Sequence, residues 1–141
     1  MKFLTWVIRI YANTIRTAPI VPMELLISLV SVVWGLWLLN PLGHTFPNGT
    51  IYRGMALMAP EWLWGLVMIG LGLCHLYSLY RSSVKWRARI AISGWLIWGF
   101  ISISFALSNI WSTATPIYGI FAGCSLIVAR RLHKEIDRYD S

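Results

Sequence analysis

Acidic residues are scarce in this chain. Asp and Glu supply only 5 of its 141 residues, and all charged residues together make up 12%, about half the share of an ordinary soluble domain. A water-facing globule needs more polar surface, so a soluble enzyme or binding module is excluded. Cysteine is also sparse: Cys74 and Cys124 both fall in apolar runs, where a thiol packs as a small apolar group. That argues against a disulfide framework. No glycine-rich phosphate loop occurs, because Gly70-Leu71-Gly72 sits inside a helical run. Three or four convergent zinc ligands are missing, and the serines of the third apolar run have no His or Lys at their depth to activate a hydroxyl.

What fills the chain instead is apolar. Hydrophobic residues are 57% of the sequence, with 9 Trp, and the mean hydropathy is +0.65. Four runs are long enough to read as spans of a bilayer, and at about 20 residues each they leave no room for a separate soluble catalytic domain. The expected fold is all-α: an N-terminal amphipathic interfacial helix (residues 1–18), a four-helix transmembrane domain (19–132) and a charged cytoplasmic tail (133–141).

Periodicity supports the first piece. Phe3, Leu4, Val7, Ile8, Tyr11 and Ile15 gather on one helical face, and Lys2, Arg9 and Arg16 on the other, the pattern of a helix lying in the membrane surface with its cations toward anionic headgroups. A cleaved signal peptide needs an uninterrupted apolar core, which Arg9 and Arg16 break. Pro19 and Pro22 then restart the chain. Span one is expected from about Pro22 to Leu39, and span two from Pro60-Glu61 to Tyr80-Arg81. Between them Ile51, Met55 and Met58 share a face, predicting a short interfacial or re-entrant helix. Span three follows the basic connection Arg81–Arg89, running from Ile90 to Ser108. Span four runs from Pro116 to Arg130-Arg131, with Thr113 and Thr115 as capping residues.

Basic residues set the orientation. Of the 12 Lys and Arg, all but Arg53 fall in three groups: Lys2, Arg9 and Arg16; Arg81, Lys85, Arg87 and Arg89; Arg130, Arg131, Lys134 and Arg138. In a four-span topology all three lie on one side, which the positive-inside bias makes the cytoplasm. The clustering argues against nucleic acid as the partner of a net charge of +7. The expected location is a bacterial inner membrane with both termini cytoplasmic.

Few residues carry chemistry. Glu24 and Glu61 each fall in the first turn of a span, where a helix N-terminus favours a carboxylate; at opposite membrane faces they cannot act as a pair. His75, beside Cys74 and near the cytoplasmic end of span two, is the one candidate for holding a haem or pigment, against a plain reading as an imidazole hydrogen-bonded to a neighbouring helix. His44 and His133 lie outside the spans. No cofactor is assigned. Small residues that let helices approach are Gly70 and Gly72 and the Gly119/Gly123 pair. Trp95 and Trp98, deep in span three, are expected to face protein because an indole N–H needs a partner that lipid tails lack. The other tryptophans sit at the interfaces as anchors. Trp34-Gly35 and Trp98-Gly99 hint at a repeat, and Asn48-Gly49-Thr50 matches a glycosylation acceptor; each is too common a pattern to carry weight.

Three functional readings follow. The first is a non-enzymatic membrane protein acting through helix packing, as a homo-oligomer or an accessory subunit of a larger complex. The second is a holin-type lesion former of the kind used by bacterial viruses, whose lumen Ser104, Ser108, Thr115 and Ser125 would line. The third is an ion or proton transporter built on His75 and Glu24, for which one His with no paired acid makes a poor relay.

Overall fold

The computed structural model describes residues 20–40, 52–81, 83–108 and 111–140, with side chains as far as Asp137. The expected surface helix over residues 1–18, with Lys2, Arg9 and Arg16, lies outside the described residues, as do His44, Ile51 and Asn48-Gly49-Thr50. Among the described residues five helices follow one another: α1 (Val21–Leu38), α2 (Arg53–Met58), α3 (Glu61–Arg81), α4 (Val84–Ser108) and α5 (Ala114–Asp140). Among the described residues there is no strand.

Three of the helices, α1, α3 and α4, are long and apolar enough to cross a membrane. The expected fourth span falls short of that standard. Its helix, α5, is 27 residues long, but Thr115, Pro116, Gly119, Gly123 and Ser125 dilute its apolar part, and Arg130-Arg131 end it.

Local chemistry fixes the helix ends. Pro22 sits in the first turn of α1, where its missing N–H costs no helical bond. The start of α5 is capped by Ser112, whose hydroxyl accepts from the Ala114 N–H at 3.3 Å, and not by Thr113 or Thr115 as expected. The basic connection also shrinks: α4 begins at Val84, with the Arg87 N–H donating to the Ser83 carbonyl at 3.0 Å. Residues 84–89, read from hydropathy as a loop, are a helical turn because one of their cations has a buried partner.

The helices pack as two antiparallel pairs, α1 with α3 and α4 with α5. Register in the first pair is set by glycine. A Cβ on Gly35 would lie 2.7 Å from the Gly65 carbonyl oxygen, and one on Gly72 would lie 2.6 Å from that of Ser28, so only glycine permits this approach. In the second pair Ser102 donates to the Thr115 carbonyl at 2.9 Å, and Ala88 and Ala91 pack with Val128, Ala129 and Leu132. Buried positions on α4 run Arg87, Ala91, Gly94, Trp98, Ile101, Phe105, alternating four and three apart as in a coiled-coil seam. The short α2 seats Met55 in the core and lays Gly54 against Ser104; Met58, expected on the same inward face, is exposed.

Candidate functional site

The core divides into two halves. At the end formed by the C-terminus of α1 and the N-terminus of α3 it is aromatic. Trp98, fully buried, lies 5.6 Å from Trp34, 5.6 Å from Tyr118 and 5.1 Å from Phe121 between ring centroids. Phe105 continues the cluster to Tyr118 and to Tyr52, and Trp64 stacks on Phe100 at 5.5 Å while donating to the Met55 carbonyl. Tyr52, outside the spans, has its phenol pushed above the ordinary value by burial, with the Glu61 carboxylate adding to the effect.

The opposite half is polar and forms the candidate site. Glu24 from α1 and Arg87 from α4 are both buried and paired in a two-point contact: Arg87 Nε donates to Oε1 at 3.1 Å and Nη2 donates to Oε2. The planar guanidinium fork matches the carboxylate, which is the geometry that best offsets the cost of burying two charges. This revises the reading of Glu24. It does stand in the first turn of α1, but its charge is answered by a cation 63 residues away in sequence rather than by the helix terminus alone. Glu61 keeps its first-turn position on α3.

His75 lies in the same half, fully buried and within electrostatic reach of Arg87. The hydrogen bond expected from it to a neighbouring helix is not found: neither ring nitrogen has a partner. Its Nε2 faces α4 and α5, and a Cβ on Gly94 would stand 3.3 Å from that nitrogen and 3.3 Å from the Ser125 hydroxyl. Glycine at 94 is what makes room for the imidazole. Among the described residues no three His, Cys, Asp or Glu side chains are placed to share a metal ion.

Serines complete the layer by closing on their own helices. Ser28 donates to the Glu24 carbonyl at 2.6 Å, Ser31 to Ile27 at 2.7 Å, Ser78 to His75 at 2.8 Å and Ser125 to Phe121 at 2.9 Å. Such back-bonding lets a hydroxyl enter an apolar layer without an unmet donor. The residues named as pore-lining do not form a stripe on an outer surface. Ser104 and Ser125 are buried at different depths, Ser108 donates to the Ser104 carbonyl, and the Thr115 hydroxyl is buried without a partner.

The other singled-out residues divide. Trp98 faces protein, yet its indole nitrogen has no hydrogen-bond partner. Trp95 points outward, 39% exposed, so within one chain it does not meet the expectation of a protein neighbour. Gly70 and Gly123 have nothing within 4 Å of an added Cβ, and Gly119 has only the Ser102 hydroxyl at 3.4 Å. The glycines that bring helices together inside the chain are Gly35, Gly65 and Gly72. Their signal was the spacing to Ser28 and Ser31 on α1 and to Met68 on α3, which the apolar run around them hid. Compared with family models, curated proteins and solved structures, the chain has no match.

Proposed function

We propose that this chain is a non-enzymatic integral membrane protein with four transmembrane helices that works through helix packing, as a homo-oligomer or as an accessory subunit of a larger membrane complex. The observation that carries the reading is that the buried carboxylate and serines are satisfied within the bundle: Glu24 is spent on Arg87, and Ser28, Ser31 and Ser125 on their own backbones, so that among the described residues the buried atoms without a partner are the two His75 nitrogens, the Trp98 indole nitrogen and the Thr115 hydroxyl. Among the described residues no continuous polar wall is left to line a path for water or ions, which conduction requires. The outside of the bundle is the reverse of a soluble surface, with Leu26, Leu29, Val33, Leu36, Leu96 and Ile103 all exposed. Those side chains suit lipid, and Trp95, Gly70 and Gly123 among them are available to another helix.

In this reading α5 is the fourth crossing. Its apolar part, Ala114 to Ala129, is about 24 Å long at 1.5 Å per residue, somewhat short of a hydrocarbon core of about 30 Å. Packing along α4 carries it in, and Arg130 and Arg131 reach the headgroups by extending their side chains. The three basic groups then share the cytoplasmic side of a bacterial inner membrane, where Lys2, Arg9 and Arg16 meet anionic headgroups.

The test is to produce the chain alone in bacteria and follow the membrane potential, then weigh the detergent-purified complex. The potential should stay intact and the mass should correspond to more than one chain. Rapid depolarisation that disappears when Ser104 and Ser108 are changed to Leu would replace this reading with the lesion-forming one. A monomer that co-purifies with nothing would remove assembly as the function.

A further inference from the structure

We propose that the groove between α3 and α4 at their basic ends binds the phosphate of an anionic phospholipid, with the lipid's acyl chain following the groove into the bilayer. The inference rests on the membrane reading above, with this end of the bundle at headgroup level. Helices α3 and α4 are joined by a very short turn, yet each packs mainly on another partner, α1 and α5 respectively. Their slight mutual contact leaves a groove of about 260 Å³ lined by Cys74, Tyr77, Ser78, Arg81, Trp86 and Ile90.

The lining changes character along its length. At the mouth stands the Arg81 guanidinium, 5.9 Å from the centre of the Tyr77 ring, and Trp86 carries Arg89 over its own ring at 5.6 Å. Stacking of this kind holds a guanidinium while leaving its N–H fork free to meet phosphate oxygens. About 10 Å deeper, seven residues back along α3 at 1.5 Å each, the wall becomes Cys74 and, from α4, Ile90. Ser78 contributes little polarity, because its hydroxyl proton is given to the His75 carbonyl. No acid lines the groove. A cation at the headgroup level above an apolar wall is the pattern of a phospholipid rather than of a free phosphate, which would use the mouth alone. A second copy is disfavoured as occupant, because a two-fold contact here would set Arg81 against Arg81.

Native mass spectrometry of the full chain in detergent, with phosphatidylglycerol or phosphatidylcholine added, tests the site. Phosphatidylglycerol should be retained in preference, with Arg81→Gln lowering that retention about fivefold, the worth of one cation at a membrane surface. Cys74→Phe, which fills the groove without touching charge, should lower it as well, while Arg53→Gln, an exposed cation on α2 at the opposite end of the bundle, should leave it unchanged. Equal retention of the two lipids, or an Arg81→Gln chain that binds like the parent, would overturn the site; millimolar inorganic phosphate displacing the lipid completely would assign the mouth to free phosphate instead. Alkaline carbonate extraction separates this from the broader reading. Release of the chain from membranes sinks both, whereas a retained chain indifferent to phosphatidylglycerol sinks the groove alone.

Discussion

At the scale of single residues, the pair of Glu24 and Arg87 dominates the energetics, because each is costly to bury without the other. Both are nearly inaccessible, with side chains 0% and 3% exposed. Removing one partner from such a pair costs about 3–5 kcal/mol, whereas replacing both by apolar residues of similar size is often neutral. Arg87→Met and Glu24→Met are therefore each expected to lower the melting temperature in detergent sharply, and the double variant to recover most of the loss. Singles and double that simply add would remove the pair from the account. The sequence places Glu24 in a first helical turn correctly, but its partner is invisible there. Arg87 looks like one of four cations in a basic connection, and only the inward face of α4 on which it falls distinguishes it from Lys85 and Arg89 on the same helix and Arg81 on α3.

Among the helices, the decisive feature is which glycines lie between them. A soluble helix advertises its buried face by hydrophobicity, but here the lipid-facing side is as apolar as the core, so contrast along the sequence is weak. Both Gly70 and Gly72 sit in α3 two residues apart, and only their position around the helix separates them. Gly72→Ala would push a methyl to 2.6 Å from the Ser28 carbonyl oxygen; such overpacking costs about 1–3 kcal/mol. Gly70→Ala and Gly123→Ala meet open space and gain helix propensity of about 0.5–1 kcal/mol. Thermal melts of the three variants should therefore fall for Gly72 and hold or rise for the other two. A Gly72→Ala chain as stable as the parent would mean that α1 and α3 do not approach this closely.

The molecule as a whole is a bundle with two unlike halves, an aromatic one and a charged one, and the orientation proposed for it in a bilayer rests on where the cations are. In a background with Cys74 and Cys124 changed to Ala, single cysteines at Asn48 and Thr113 should react with an impermeant thiol reagent from outside intact cells. Cysteines at Ser83 and Ser141 should react only after permeabilisation. Labelling at Ser83 from outside would invert the topology; labelling of Thr113 and Ser141 from the same side would mean that α5 does not cross as proposed.

Composition and hydropathy determined the all-helical class and, of the four spans they led us to expect, the three helices long and apolar enough to cross a membrane, since runs of apolar residues that long have no other stable environment. A short helix before α3 was also legible, although of the residues whose spacing pointed to it Met55 is buried, Met58 is exposed and Ile51 lies outside the described residues. Tertiary structure decided the rest. It turned the basic connection into the first turn of α4, put Gly35 and Gly65 beside Gly72 at the close approach of α1 and α3 while leaving Gly70 and Gly123 open within the chain, and set His75 against Gly94 instead of against a hydrogen-bond partner. Each of these depends on what stands across the interface from a residue, and in a chain whose inner and outer faces are equally apolar, sequence periodicity carries little information about that.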